Sequence, residues 1–140
     1  MNTFTLEILT PEKPFFTGEC VSMTMPASDG MIGIMAGHTP LTAAVTDGMI
    51  TFTSADGEVR MCAVSRGMVN VGARRVRVLC ESAVSPDEID VEAERLKMQE
   101  AEIEMRKRKS YEDYMVSQLA FAKAFNRLKV KQYSAMKTNM

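Results

Sequence analysis

The chain of 140 residues has no tryptophan and a single histidine, and aromatic residues make up only 6% of it. His38 has no second histidine and no nearby thiol to join it, so neighbouring positions assemble no metal-ligand cluster. Cys20, Cys62 and Cys80 form an odd, scattered set without CxxC spacing. That pattern argues against a disulfide framework or a zinc site and fits a reducing compartment. Each cysteine stands beside apolar residues, so all three are expected as buried structural thiols. No nucleophile elbow occurs, and the phosphate-cradling G-x-x-x-x-G-K-[ST] loop is missing. The stretch Gly30 to Gly37 carries glycines, but not at G-x-G-x-x-G spacing and not in a βαβ setting. The chain is therefore expected not to be an enzyme by itself. No apolar run approaches the ~20 residues of a membrane span. The opening MNTFTLEI shows neither a basic patch nor a long apolar run, so no secretory signal is expected there. A net charge of -1 gives no electrostatic case for nucleic acid.

Backbone breakers are absent from a whole segment. All 8 glycines lie between Gly18 and Gly72, and Pro86 is the last proline. The 54 residues after it are rich in Glu, Lys, Ala, Met and Gln, all good helix formers. The boundary falls within 82–86, giving a segment 1–84 punctuated by turns and a helical segment 85–140.

Before that boundary the pattern is β. Phe4, Leu6 and Ile8 alternate with Thr3, Thr5 and Glu7, as do Val21, Met23 and Met25 with Ser22 and Thr24. Val59, Met61 and Ala63 alternate with Glu58, Arg60 and Cys62, and Val76 and Val78 with Arg75 and Arg77. Period-two alternation gives a sheet with one apolar face, which must be buried on a second layer. Asp56-Gly57, between ITFT and EVRMCAV, predicts a hairpin because both residues accept positive φ. Short strands with frequent turn signals predict a sandwich or barrel.

After the boundary two helices are expected. Ser85, Pro86 and Glu88 form an S-x-x-E capping box with proline at the first helical position. Ile89, Ala93, Leu96 and Ile103 lie at helical spacing, interrupted at Glu100. The run 106–110 ends or kinks the first helix. The second is expected from about Tyr111 to Met136, with Tyr114, Phe121, Phe125 and Leu128 on one face packing inward. Two amphipathic helices joined by a short polar link form an antiparallel hairpin. Charge is segregated between them. Residues 87–104 hold eight acids and two bases; residues 105–140 hold two acids and nine bases. Lys123, Arg127 and Lys131 recur at spacing four and form a basic line that meets the acidic first helix or an acidic partner. Lys129 lies off that line, beside Leu128.

At Asp29 to Leu41 the pattern becomes more specific. DGMIGIMAGHTPL resembles a signature of the ε subunit of rotary F-type ATP synthases, a short turn with G-x-x-G-I followed by H-x-P. Other pieces agree in order: Thr10-Pro11-Glu12, Phe16-Thr17-Gly18 and Gly48-Met49-Ile50. Arg66-Gly67-Met68-Val69-Asn70-Val71 stands where the family has G-G-x-x-x-V. Glu88-Ile89-Asp90 opens the first helix, and an alanine-rich run spans Leu119 to Val130. The resemblance covers essentially the whole chain.

It implies a ten-stranded β-sandwich followed by a helical hairpin, in a non-catalytic subunit of the central rotating stalk. The implied partners are the γ subunit, the polar loops of the membrane c-ring and, with the hairpin extended, the α/β subunits of the catalytic head. In that family the extended hairpin blocks hydrolysis. The implied location is peripheral, on the cytoplasmic face of the cell inner membrane. By position, Asp29 and Met31 correspond to the c-ring contact, and His38, Thr39 and Pro40 to the γ-facing surface. Lys123, Arg127, Lys129 and Lys131 correspond to the regulatory basic face. Some members bind ATP at the hairpin through I/L-D-x-x-R-A. Ile89 and Asp90 match its start, but Ala93 replaces the phosphate-pairing arginine and Glu94 follows. Charge-assisted bonds to phosphate are then missing, and no cofactor is expected. Two other readings fit the residues less fully. A free-standing ligand-binding β-sandwich with a helical interaction tail predicts a deep pocket, and a nucleotide-sensing regulator predicts ATP binding.

Overall fold

A computed structural model describes residues 2–107 and 110–138, with the side chain of Thr138 left out. The chain divides into two compact units, Met1–Ser85 and Pro86–Met140. The first is built from nine strands: β1 Phe4–Leu9, β2 Pro14–Ala27, β3 Gly30–Met35, β4 Leu41–Val45, β5 Gly48–Ser54, β6 Val59–Val64, β7 Gly67–Val71, β8 Arg75–Cys80 and β9 Ala83–Val84.

β2 explains why nine strands do the work of the expected ten. Its 14 residues run through both halves of the unit. Its first half pairs antiparallel with β1, and its second half with β3 and β5. A register shift between Cys20 and Ser22 bends it between the two. The remaining order, β1-β8-β7-β4-β2-β5-β6-β9, brings the sheet back onto β2. The inward residues of this closed arrangement form one core. Phe4, Leu6 and Ile8 of β1, Met23 and Met25 of β2, and Val76 and Val78 of β8 are at most 2% exposed. Each such side chain contributes roughly 1.5–3 kcal/mol by leaving water.

The alternation expected in β6 does not hold along the strand. Val59 is 55% exposed, whereas Cys62, Ala63 and Val64 are all buried. Pairing with β5 sets the inward residues: Ile50 lies opposite Cys62, and Phe52 opposite Arg60. Arg60 keeps to the inner side because its guanidinium lies 5.1 Å from the Phe16 ring centre and 5.6 Å from that of Phe52. The Asp56-Gly57 turn is present. Gly57 takes φ +90°, and the Asp56 carboxylate accepts from the Ser54 hydroxyl and the Glu58 amide.

The second unit begins with a 3-10 turn, Pro86–Glu88, followed by α1 Val91–Arg106 and α2 Tyr111–Thr138. α1 therefore starts five residues beyond the expected Ser85-Pro86 start. Asp90 has the extended backbone of an N-cap, and its carboxylate accepts from the Ala93 amide at 3.1 Å. Arg106 ends α1 and Lys107 caps it; Arg108 and Lys109 lie outside the described residues. Ser110 caps α2, its hydroxyl accepting from the Asp113 amide at 3.1 Å.

The helices run antiparallel, but the buried positions differ from those expected. Leu96 and Ile103 are 56% and 55% exposed, and Phe125 is 47% exposed. Tyr114 is exposed too, while Phe121 and Leu128 are half-buried. On α1 only Glu94 and Ala101 are buried, with Met98 and Met105 half-buried at continuing spacings of four, three and four, and Val91, Ala93 and Glu102 are half-buried too. On α2 the most deeply buried residues are Ala124 and Val130. The seam therefore takes in part of the expected line of α2, Phe121 and Leu128, and leaves Tyr114 and Phe125 exposed.

Candidate functional site

The expected site residues of the first unit fall at its two ends. Ser28 and Asp29 form the turn between β2 and β3, closed by the pair Ala27 and Gly30. Gly30 takes φ +121°, which a side chain would disfavour. Asp29 is exposed, and Met31 is 60% exposed, so the tip presents one carboxylate and one thioether. His38, Thr39 and Pro40 follow the far end of β3, roughly 17 Å away at strand spacing. There Gly37, at φ +82°, donates its amide to the Ala73 carbonyl. The His38 Nδ1–H donates to the Thr39 carbonyl at 2.7 Å, fixing the imidazole against its own backbone. His38 is half-buried, and Thr39 and Pro40 are exposed. The two sets belong to separate surfaces.

Between them lies a feature the alternation pattern does not advertise. Leu9 pairs with Leu79, Leu79 with Met68, and Met68 with Ala44, giving an outward row across β1, β8, β7 and β4. Met68 is 56% and Leu79 is 52% exposed. The row beside it is polar. Glu7 meets Arg75 at 3.1 Å and Arg77 at 3.4 Å, and Asn70 donates to the Thr42 hydroxyl at 3.3 Å. The signal for this surface is leucine or methionine at the phase where the same strands elsewhere carry Glu7, Arg77 and Asn70.

In the hairpin the four basic residues take four environments. Arg127 Nη1 donates to Glu94 Oε1 at 3.2 Å. Lys131 Nζ donates to the Pro86 carbonyl at 2.9 Å. Lys123 lines an open cleft of about 400 Å³ between the helices, with Glu100, Glu104 and Arg127. Lys129 stands apart, 5.7 Å from the Phe125 ring centre. The basic line thus meets the first helix as expected, through Arg127. The residue that receives it, Glu94, was not among the expected site residues, and its signal is an acid at seam spacing. Ile89 is buried, and the Asp90 carboxylate is engaged as the helix cap.

No catalytic constellation emerges among the described residues. They contain no group of three or more metal-ligating side chains. No described helix is long and apolar enough to cross a membrane. Burial pushes the Cys20 and Cys80 thiols up to about 11 and the Cys62 thiol up to about 12. They are core residues rather than nucleophiles. A polar cleft of about 630 Å³ opens beside Glu19 and Arg74. The Thr5 hydroxyl, then that of Thr3, holds the exposed Glu19 carboxyl below its usual range.

The family model for the β-sandwich domain of the ATP synthase Delta/Epsilon chain matches residues 3–86. The ATP synthase epsilon chain of Ruminiclostridium cellulolyticum is 36% identical over 128 residues, covering 91% of this chain and 95% of the relative. The chain belongs to the ATP synthase epsilon chain family. The relative from Desulforamulus reducens is 35% identical over 127 residues, covering 91% and 96%. In fold, the chain is similar to one in the cryo-EM structure of the Euglena gracilis mitochondrial ATP synthase. There the TM-score is 0.76 at 17% identity, over 96% of this chain and 81% of that one. A chain in the central stalk and c-ring structure from Tetrahymena thermophila gives 0.64 at 11% identity, over 93% and 97%. These structures support the β-sandwich followed by two helices, and the relatives cover 91% of the chain.

Proposed function

We propose that this chain is a non-catalytic rotor subunit of an F-type ATP synthase, joining the c-ring to the catalytic head through γ. The observation that carries the reading is the outward row Leu9, Leu79, Met68 and Ala44. Within this row two large apolar side chains that pair across neighbouring strands, Met68 and Leu79, are 56% and 52% exposed, although the inner face of the sheet is already filled. Such a surface fits a lasting partner, which removes it from water. γ covers this row and continues onto His38, Thr39 and Pro40, which lead directly into β4. The opposite tip, with Asp29 and Met31, meets the polar loops of the c-ring. The subunit then sits at the cytoplasmic face of the cell inner membrane, held there by its partners.

The hairpin is the regulatory part. Its basic residues Lys123, Arg127, Lys129 and Lys131 engage acidic surfaces of the catalytic head when the helices extend, and this inhibits ATP hydrolysis. Ala93 offers no cation to a triphosphate, and both Ile89 and Asp90 already serve the fold, so the hairpin works without nucleotide. Pull-down of the tagged chain from membranes tests the reading. Recovery of γ and the membrane ATPase is expected, and recovery of neither would overturn it.

A further inference from the structure

The outer face of the first unit carries a cationic row beside the apolar one. Along β8, Arg75, Arg77, Leu79 and Glu81 are the outward, exposed positions, and Leu79 follows Arg77 by about 7 Å at strand spacing. Glu7 lies opposite Arg77 on β1. Its Oε1 comes within 3.1 Å of Arg75 Nη1, and its Oε2 within 3.4 Å of Arg77 Nε. One carboxylate thus serves two guanidiniums and leaves one positive charge uncompensated. Exposure is unequal as well: the Glu7 side chain is 14% exposed, those of Arg75 and Arg77 60% and 47%. A surface laid on this face meets the cations, with the acid beneath them. The neighbouring acids are engaged elsewhere. Glu81 meets Arg66 at 3.6 Å on the far side of Leu79. Glu19, one strand beyond Thr5, accepts from the Thr3 and Thr5 hydroxyls. Towards β4 the row continues in neutral residues, Asn70 and Thr42. A partner that covers the apolar row covers this one too, and guanidiniums taken out of water require an anion.

We propose that the surface of γ seated on Leu79 and Met68 carries an aspartate or glutamate beside its apolar contacts, and that this carboxylate pairs with Arg75 and Arg77. The inference rests on the rotor role, which supplies γ as the occupant, and adds the chemistry of its docking surface. The apolar row supplies area without direction, since one apolar side chain slides past another at little cost. The carboxylate fixes the register, because a shift of one residue pair along β8 would leave the guanidiniums covered and unpaired.

The test is calorimetric titration of γ with the full chain and two variants, at low and at high salt. The first variant makes the row neutral by combining Glu7→Gln, Arg75→Gln and Arg77→Gln, so no charge of this chain is left uncompensated under the partner. It is expected to bind γ roughly tenfold more weakly or worse at low salt, because the carboxylate of γ loses both cations. The second, Glu7→Gln alone, removes the competing acid and is expected to bind roughly threefold more tightly than the unmodified chain. High salt should narrow both differences. A neutral row that binds as tightly as the unmodified chain would overturn the proposal, and so would weaker binding by Glu7→Gln. Either result leaves γ bound to the unmodified chain and the rotor role standing. Absence of binding by the unmodified chain would instead remove the rotor role, and this inference with it.

Discussion

Gly67 lies so close to Leu79 that a β-carbon on it would fall 1.9 Å from the Leu79 carbonyl oxygen and 2.6 Å from Cys80 Cα. Both obstacles are backbone atoms of the adjacent strand, where Gly67 pairs with Cys80, and neither can swing aside. Gly67→Ala is expected to destabilise the first unit by at least ~2 kcal/mol, read as a lower urea midpoint. A β-carbon on Gly33 would meet nothing within 4 Å, and the φ there is ordinary. Gly33→Ala should stay within about 0.5 kcal/mol and serves as the control.

The buried thiols predict an alkaline limit. Cys62 is pushed from 9.0 to about 12, first by burial and then by the neighbouring Cys80. The folded state thus prefers the neutral thiol, while the unfolded chain ionises near pH 9. The thiol contribution to stability should be level below about pH 8 and fall as pH rises from 9 towards 12. Urea midpoints from pH 7 to 10.5 check the sign. Thiol titration should find three reactive groups after unfolding and slow reaction before it.

Removing the α1 cap should act locally. Asp90→Ala deletes the acceptor for the Ala93 amide, worth ~1 kcal/mol. Faster exchange is expected in the first turn of α1, with the strand amides unaffected. Loss of strand protection would show that the two units unfold together.

The fold was largely readable because its strands alternate cleanly where both neighbours are also strands. Phe4, Leu6, Ile8, Val76 and Val78 are inward as their spacing demands. Arg60 hid the phase of β6 by lying on two aromatic rings, so a charged residue occupied an inward position. The hairpin seam was harder for a similar reason. Its most deeply buried positions include an acid, Glu94, and two alanines, Ala101 and Ala124, while Leu96, Ile103 and Phe125, which weigh heavily in a periodicity count, face solvent. Of the site, Asp29, Met31 and His38 were placed by motif resemblance alone. The outward row of Leu9, Leu79, Met68 and Ala44 needed the strand order, because its members are widely separated in sequence and meet only through cross-strand pairing.

The most direct measurement is calorimetric titration of the full chain into γ from the same cell, repeated with Met68→Glu combined with Leu79→Glu. Both residues are more than half exposed, so the double variant should keep its stability within about 1 kcal/mol. The unmodified chain is expected to bind γ with one-to-one stoichiometry, and the double variant to bind at least roughly a hundredfold more weakly, because two carboxylates would be buried unpaired. Equal affinity of the two proteins would contradict the docking face, and absence of binding by the unmodified chain would contradict the rotor role itself.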